Sequence, residues 1–259
     1  MAYRYLFEQM VRRELRQKYK GSALGVLWYL INPLVLMGAY YLMFGVLFKV
    51  AGPDQPQQYP LFLLVGLVVW IFFSQAVLSS APSLLDQGAL VRKARFPRET
   101  IPASVVTVQL VTFLALIALL TPITIAIRGT GAALLVLPLI LACLFAFVLG
   151  LAFAVSVLHA YFRDVAPILS AALLPWFFLS PIFFDPATLP RLSDQTTAIF
   201  VLEWVNPVAP FIVAVRDVVY DGTLPDTAVL VYVAIAAALS LIGGLALFRR
   251  MQGELAVVV

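Results

Sequence analysis

Charged residues are scarce in this chain, and they are absent from its longest apolar stretches. Only 12% of the 259 residues are Asp, Glu, Lys or Arg, about half the fraction typical of a soluble domain, whereas 63% are hydrophobic. The hydrophobic residues are grouped in blocks of roughly 20 or more, which is the helix length needed to cross the hydrocarbon core of a membrane. The composition therefore predicts an integral membrane protein.

Residue types that support catalysis are equally few. The chain has one cysteine, Cys143, and one histidine, His159. A disulfide framework is therefore excluded, and Cys143 is expected to be a packing residue. We expect His159 to be a boundary residue at a turn, in preference to a proton relay, because it falls at the end of an apolar block. The sequence contains no serine, histidine and acid constellation and no metal-ligand spacing.

Active transport by this chain would require an outside source of energy. The sequence has no GxxxxGK[ST] phosphate loop, and the apolar blocks contain no Asp, Glu, Lys or Arg that could couple transport to an ion. We therefore expect the chain to be a transport subunit that binds no cofactor. ATP and Mg²⁺ would be bound by a separate nucleotide-hydrolysing partner.

Six apolar blocks are long enough to be membrane-spanning helices. They cover residues 25–48, 59–80, 101–127, 132–158, 166–184 and 228–248. A helix satisfies its own backbone hydrogen bonds in lipid, and the short alternating segments of a β-barrel are missing. The sequence thus predicts an all-α integral membrane protein with six spans, in a single transmembrane domain over residues 1–259.

Lys and Arg are distributed unequally between the segments that connect these spans. Thirteen of the 17 fall on the side that carries both termini, whereas four fall on the opposite side together with seven acidic residues. Because cytoplasmic segments carry the excess of Lys and Arg, both termini are predicted to be cytoplasmic.

The N-terminal segment, residues 1–24, is basic and amphipathic. Tyr5, Leu6, Met10 and Leu15 recur at near-helical spacing among cations. This pattern predicts an interfacial helix on the inner leaflet, with its cations near anionic membrane lipids. A solvated basic anchor that only sets the topology is the alternative. The candidate interfacial cations are Arg12, Arg13, Arg16 and Lys18.

The outer connection over residues 185–226 is too long for a turn and too apolar for a free loop. Its apolar part, residues 208–220, is too short to cross the membrane and predicts a re-entrant or interfacial helix. Backbone at this depth is tolerated where it is buried in protein or lines a water-filled cavity. We therefore expect this outer re-entrant segment to enclose part of a wet path.

Aromatic residues are concentrated in the first and fifth predicted spans. The first span carries a stripe at helical spacing that comprises Tyr29, Pro33, Met37, Tyr40, Phe44 and Phe48. The fifth span contains the run WFFLSPIFF, with Trp176, Phe177, Phe178, Phe183 and Phe184. Aromatic faces with a polar handle suit a sliding amphipathic substrate such as a sugar chain. The alternative is that these rings face lipid, which is common in membrane helices.

A dense basic segment, VRKARFPRE at residues 91–99, lies in the 81–100 loop after the second predicted span. Pro97 and Pro102 are expected to break any continuous helix through this loop. The cations are consistent with a topology signal, but topology alone does not require Phe96 and Pro97 among them. Cations around an apolar anchor also suit docking into an acidic groove of another protein.

Four of these motifs, in order and in register, resemble the membrane subunit of bacterial polysaccharide ABC exporters. These are the type-2 permeases that move O-antigen, teichoic acid or capsule chains. The resemblance rests on RRELRQKYKGSALGVLWYLINPL at residues 12–34, FPRE at 96–99, FRD at 162–164 and the Asn206-Pro207 pair before the partial apolar segment. It covers essentially the whole chain.

The resemblance implies a half-transporter in the bacterial cytoplasmic (inner) membrane. It forms a homodimer, docks two copies of an ABC nucleotide-binding ATPase subunit, and exports a lipid-linked polysaccharide. The first and fifth spans would line the channel, which makes the candidate substrate residues Tyr29, Tyr40, Phe44, Phe48, Trp176, Phe177, Phe183 and Phe184. The 81–100 loop would hold the ATPase-coupling helix, with candidate residues Arg92, Lys93, Arg95, Phe96, Pro97, Arg98 and Glu99.

Other functional classes are less consistent with the sequence. A type-2 permease for a drug or a lipid is the nearest alternative, against which the aromatic stripes argue mildly. A membrane-embedded glycosyltransferase or acyltransferase should show clustered acidic residues or histidines at one membrane face, and the acidic residues here are scattered. A passive scaffold would not require a re-entrant outer segment, and nothing in the sequence suggests a nucleic-acid partner.

Overall fold

The computed structural model describes residues 2–19, 25–47, 58–93, 96–129, 131–185 and 196–255, apart from a few side chains within these ranges. Over the described residues the chain is helical and forms no β-strand, which confirms the predicted all-α class. We number the α-helices in chain order: α1 Ala2–Tyr19, α2 Trp28–Tyr40, α3 Tyr59–Ser80, α4 Ser83–Asp86, α5 Gly88–Lys93, α6 Thr100–Arg128, α7 Leu137–Tyr161, α8 Val165–Leu179, α9 Thr196–Phe200, α10 Ala209–Arg216 and α11 Thr227–Met251.

Three of these helices continue into a π-helical segment, and the described residues also contain three short 3₁₀ turns. The π segments are Tyr41–Leu47 after α2, Val201–Val205 after α9 and Asp217–Asp221 after α10. The 3₁₀ turns are Gly25–Leu27, Ala132–Leu135 and Gln252–Glu254. We call the end of the bundle that carries α1 and the C-terminal end of α11 the basal end, and the opposite end the apical end.

Five helical segments in the described part of the chain are long and apolar enough to cross a membrane. They are Leu30–Leu47, Tyr59–Ser80, Thr100–Arg128, Leu137–Tyr161 and Thr227–Met251. Each overlaps one of the predicted spans. The chain is therefore a multi-pass membrane protein by length and composition.

The predicted span over residues 166–184 is divided into a helix and a turn. Helix α8 has 15 residues, which corresponds to about 22 Å at 1.5 Å per residue, short of the ~30 Å hydrocarbon layer. It ends because Ser180 precedes Pro181, and a residue before proline is driven out of the helical region. Ser180 accordingly has an extended backbone, with ψ of 145°.

Helix α3 is the centre of the bundle. It is apolar on all sides, and most of its residues are buried against α2, α6, α7, α8 and α10. A helix that is hydrophobic all round can lie in lipid or in the interior of a bundle, and the contacts of α3 place it in the interior. Helix α1 packs on α6, and α11 packs on α7 and α10, so both join the bundle through helices that contact α3.

A second, smaller core closes the basal end. It contains Met10, Leu84, Ile101, Phe153, Val157, Ala160, Phe248 and Leu255, and we call it the basal core. Helix α1 contributes buried Met10 and partly buried Leu6, whereas Arg12, Arg13 and Arg16 on the same helix are exposed. The N-terminal helix thus packs an apolar face on the bundle and turns its arginines outward.

Pro102 does not break the helix that follows the 81–100 loop. Helix α6 begins at Thr100, so Pro102 lies in its first turn, where a backbone N–H has no partner inside the helix. The helix is interrupted over residues 96–99, as expected for this loop, and Pro102 lies just inside the helix that follows. Pro97 does lie outside the helix, where its carbonyl accepts hydrogen bonds from the backbone N–H and the hydroxyl of Thr100.

Helices α7 and α11 approach so closely that two glycines are required at the contact. A Cβ added at Gly150 would overlap the backbone of Ser240, and one added at Gly244 would overlap the backbone carbonyl of Gly150. The Ser240 hydroxyl donates to the Phe147 carbonyl at 2.7 Å across the same contact. Small residues that allow backbones to meet are a common basis of helix association in membranes.

This contact generates a prediction with a control one residue away. Gly150→Ala and Gly244→Ala should each lower the free energy of unfolding by about 1–3 kcal/mol, because the added methyl forces the two backbones apart. Gly243→Ala should be tolerated, since a Cβ at Gly243 meets no atom within 4 Å. Thermal unfolding of the purified protein in detergent measures all three. Equal midpoints for the Gly243 and Gly244 variants would contradict the assignment.

Candidate functional site

The aromatic residues of the first and fifth predicted spans meet in one seam. The Tyr40 ring centroid lies 5.4 Å from that of Phe177 and 5.0 Å from that of Phe183. Phe44 approaches Phe183 at 4.5 Å, and Phe177 approaches Phe183 at 5.0 Å in an edge-to-face arrangement. These separations are typical of favourable aromatic pairs. Two groups about 140 residues apart in the sequence are thus brought together.

Most rings of this seam are covered by the chain itself. Phe183 is 2% exposed and Phe177 is 7% exposed, whereas Tyr40, Phe44, Trp176 and Phe184 are partly buried. Tyr40 and Phe44, the described rings of the first-span stripe, therefore pack toward the bundle. Phe183 packs between neighbouring elements, so the surface it offers to a substrate in this chain is small.

Two aromatic residues of α3 extend the seam and were not among the candidate residues. Trp70 lies 5.6 Å from Phe177 and 6.2 Å from Trp176, and Phe73 lies 5.3 Å from Trp176. Periodicity could not identify them, because α3 is apolar on every face and no face stands out. Their aromatic character within a central span was the available signal.

A cavity of about 270 Å³ lies beside the seam, between α2, α3 and α8. Its aromatic lining is formed by Tyr40, Trp70 and Phe177, and its polar lining by Asn32, Ser74, Gln75 and Ser170. Amides and hydroxyls that donate and accept hydrogen bonds, next to aromatic faces, suit a ligand with both hydroxyl groups and C–H surfaces. The sequence signal for the α3 part of this lining was the polar Ser74-Gln75 pair inside an otherwise apolar span.

At the apical end, Asn206 joins the end of α8 to the outer segment. Its Oδ1 accepts from Trp176 Nε1 at 2.8 Å and from the backbone N–H of Val208 at 3.1 Å. Its Nδ2 donates to the Ser180 hydroxyl at 3.0 Å and to the Leu179 carbonyl at 3.4 Å. The Asn206 amide thus provides hydrogen-bond partners for groups at the end of α8, where Pro181 stops the helix.

The buried cation Arg216 ties α10 to the same turn. Its side chain is 5% exposed, stacks 3.6 Å above the Phe62 ring, and donates to the Ile182 carbonyl at 3.3 Å. A Cβ on Gly66 would lie 2.8 Å from the Arg216 guanidinium, so glycine makes room for it on α3. Tyr59, at the start of α3, donates to the Phe183 carbonyl at 2.6 Å.

Carboxylates surround this arginine. Burial lowers the pKa of Arg216 to about 10, and the nearby Asp185, Asp221 and Asp217 oppose that change, so Arg216 stays charged at neutral pH. Burial, reinforced by Asp221, raises the pKa of Asp217 to about 6. Arg128 closes the group with a 3.3 Å ion pair to Asp221 and a position 4.0 Å above the Tyr220 ring.

At the basal end, the 81–100 loop is bonded to both ends of the chain. Gln87 Nε2 donates to Glu14 Oε1 of α1 at 3.2 Å. Arg98 donates to the Gln252 carbonyl after α11, and Arg249 of α11 pairs with Glu99 at 3.5 Å. Two residues predicted to face another protein are thus also used inside the chain.

The remaining coupling candidates are placed as follows. Phe96 is partly buried and packs against the basal core, and Pro97 is exposed. The side chains of Lys18, Tyr29, Arg92 and Lys93, and the whole of Phe48 and Arg95, lie outside the described residues.

His159 serves the turn between α7 and α8. It is buried, and its Nδ1 accepts a hydrogen bond from the backbone N–H of Ala166 at 3.3 Å. That N–H belongs to the first turn of α8 and has no partner inside the helix, so the imidazole acts as a cap. Among the described residues, no group of three or more His, Cys, Asp or Glu could hold a metal ion.

Taken together, the long apolar helices, the lined cavity and the bonded end segments define a multi-pass membrane protein. A family model described as ABC-2 type transporter matches residues 5–220. The chain belongs to this family of transporter membrane proteins, and the resemblance drawn from four sequence motifs is confirmed.

Relatives with curated names align along nearly their full length. The chain is 31% identical to the O-antigen export system permease protein RfbA of Myxococcus xanthus, over 98% of this chain and 95% of the relative. It is 28% identical to the protein of the same name in Klebsiella pneumoniae, over 96% and 93%. It is also 28% identical to the polysialic acid transport protein KpsM of Escherichia coli, over 95% and 93%.

The Asn206 junction generates a prediction that a double-mutant cycle checks. Trp176→Phe should cost about 0.5–1.5 kcal/mol of unfolding free energy, because it removes one donor while Val208 still serves Asn206 Oδ1. Asn206→Ala should cost about 1–3 kcal/mol, since several buried groups lose their partner. The double variant should cost less than the sum of the singles. Strict additivity in thermal unfolding would show that the two side chains do not interact.

Proposed function

We propose that this chain is the channel-forming permease of an ATP-driven exporter that moves a lipid-linked polysaccharide across the bacterial cytoplasmic membrane. The observation that carries the proposal is the cavity between α2, α3 and α8, where amides and hydroxyls lie next to aromatic faces. A glycan combines hydroxyl groups with apolar C–H faces, so both kinds of lining contribute. Relatives named for O-antigen export and polysialic acid transport support the same substrate class.

The permease works as a homodimer with six crossings in each copy. The second turn of α2 and the outer face of α8 expose large apolar side chains, among them Leu34, Val35, Ile168 and Leu174. A second copy covers part of these faces and closes the cavity into a channel. Helix α8 and the turn after it form the fifth crossing, and α10 is the re-entrant element at the outer face.

The basal end faces the cytoplasm and receives two copies of an ATPase subunit. This orientation follows from the excess of Lys and Arg on that side. ATP and Mg²⁺ are bound by the partner. When the two ATPase subunits close on each other, they press on α1 and on the 81–100 loop of the permease. The Gln87–Glu14, Arg98–Gln252 and Glu99–Arg249 contacts pass the displacement to α6 and α11.

The apical contacts give the channel its resting closure. Asn206 and Arg216 hold the turn after α8 against α3 and α10, directly beside the aromatic seam. When α8 moves during export, the turn after it must either separate from α3 and α10 or move together with α8. The coupling therefore runs from the basal loop, through the long helices, to the outer segment.

Export of a drug or a lipid by the same architecture is the competing function. A cavity for such cargo needs few hydrogen-bonding groups, whereas four polar side chains line this one. The polar lining therefore favours a glycan as the exported substrate.

Deletion of the chain in its source bacterium tests the substrate class. Surface polysaccharide should be lost and lipid-linked glycan should accumulate inside the cell, both restored by the wild-type chain. Gln75→Leu should lower glycan export by about tenfold, as expected when about 1.4 kcal/mol of polar contact is lost. Leu239→Ala, on an exposed face of α11, is the matched control and should export normally. Unchanged surface glycan with altered drug retention would support the competing function.

Coupling to the ATPase is tested by variants of the loop. Arg95→Glu and Phe96→Ala should weaken docking of the ATPase by about 2 kcal/mol each, and thereby uncouple ATP hydrolysis from export. Arg250→Glu, an exposed cation at the same end, is the control and should remain coupled. The measurement is export per ATP hydrolysed by the reconstituted complex. The permease alone should hydrolyse no ATP, and normal export by both loop variants would refute the coupling role.

A further inference from the structure

A second cavity, of about 420 Å³, lies at the basal end between α1, α4 and α6. It is separate from the aromatic seam, and the proposed export mechanism makes no use of it. Its polar lining consists of Glu14, Ser79, Ser83, Asp86, Gln87 and Gln109. The size is within the usual range for a small-ligand site.

The hydrogen bonds of the lining leave mainly acceptors for a ligand. Gln87 Nε2 donates to Glu14 at 3.2 Å, Gln109 Nε2 donates to the Ser79 hydroxyl at 3.4 Å, and the Ser83 hydroxyl donates to the Ser80 carbonyl at 2.7 Å. One N–H of each amide and the Ser83 hydroxyl are therefore engaged within the chain. The carboxylates of Glu14 and Asp86 can still accept hydrogen bonds.

Gln87 supplies an independent indication of a ligand. The residue is 7% exposed, and no group among the described residues donates to its Oε1. The amide orientation follows from chemistry, because only Nε2 can donate to the Glu14 carboxylate. A buried carbonyl without a partner is unusual in a folded protein and calls for a donor from outside the chain.

The site calls for a cation that carries several N–H donors. Two carboxylates and one amide carbonyl give it net negative charge, and a primary ammonium offers three donors for these three groups. Arg12, Arg13 and Arg16 are exposed on α1, but Arg12 and Arg16 lie about 200° around the helix from Glu14 and so point away from the cavity. The charge of the cavity itself therefore selects the ligand, because it repels an anion and attracts a cation.

The position of the cavity selects a lipid as the source of that ammonium. Ser79 lies in the last turn of the apolar helix α3, and Gln109 lies in the third turn of α6. Helix α1 crosses the same level with an apolar face on the bundle and exposed arginines. This is the depth at which lipid headgroups meet the ends of membrane-spanning helices.

We propose that this cavity binds the headgroup of an aminophospholipid of the phosphatidylethanolamine type. Its ammonium donates to Glu14, Asp86 and Gln87 Oε1. The bound lipid joins α1 to the 81–100 loop and to α6, and thereby stabilises the part of the chain on which the ATPase acts. The site does not depend on which substrate is exported.

Lipid retention by the full chain tests the proposal. The chain is reconstituted in nanodiscs that contain equal amounts of phosphatidylethanolamine and phosphatidylcholine, extracted, and examined by native mass spectrometry. The two lipids share the phosphate and the positive charge, but the choline headgroup has no N–H donor. Wild-type protein should retain phosphatidylethanolamine with a preference of about tenfold or more, as expected for charge-assisted hydrogen bonds. Equal retention of the two lipids overturns the proposal.

Isosteric variants locate the site. Glu14→Gln and Asp86→Asn remove the charges with little change of shape, and each should reduce the preference by about tenfold. Asp164→Asn, which removes an exposed carboxylate before α8, should keep the full preference. Size-exclusion profiles and circular dichroism establish that the variants are folded. A preference that survives in the Glu14→Gln, Asp86→Asn double variant overturns the proposal.

Two protein side chains are the other candidate sources of the ammonium group, and the same assay with variants distinguishes them from a lipid. Lys18 follows Glu14 by four residues, the spacing at which helical side chains meet. If the wild-type chain lacks the preference and Lys18→Gln creates it, the occupant is this lysine and not a lipid. If the double variant keeps its lipid preference but no longer binds the ATPase subunit, the occupant is a cation of that subunit. Either result overturns the lipid assignment.

Discussion

The burial of α3 is the constraint on which the rest of the structure depends. This helix is apolar on every side, and most of its residues are covered by other helices and not by lipid. The other described helices pack on it directly or through an intermediate helix. Helices α2 and α8 cover the side where the cavity lies, and α10 covers the apical end. Any motion that opens the channel therefore changes what covers α3.

Polar contacts are concentrated at the two ends of this apolar bundle. At the apical end, Asn206, Arg216 and Tyr59 satisfy the backbone that Pro181 releases from α8. At the basal end, Gln87, Arg98 and Glu99 bond the loop to both ends of the chain. Polar groups in a low-dielectric interior are costly unless they are paired, so these contacts hold their segments in defined positions. The two ends are thus held by directional polar contacts, whereas the middle of the bundle is held by apolar packing, which has no directional preference.

The aromatic seam and the polar-lined cavity show how an apolar bundle can serve an amphipathic substrate. Packing alone accounts for Phe183, which is buried in the chain. Phe177 is buried too, but it also lines the cavity, together with Tyr40, Trp70, Ser74 and Gln75. The same cluster therefore both joins α2, α3 and α8 and supplies the lining. This dual role explains why aromatic content by itself could not separate packing residues from substrate residues.

The sequence alone determined the helical, membrane-spanning character of the chain, because apolar blocks of this length have no other stable form in lipid. It also located most helix ends, the amphipathic N-terminal helix and the basic loop. Only the tertiary structure decided that the two aromatic groups meet, that Arg216 stacks on the Phe62 ring beside Gly66, and that Arg98 and Glu99 bond within the chain. Periodicity reports which face of a helix is apolar. The identity of the element that covers that face depends on long-range packing and on backbone approach, which local sequence does not specify.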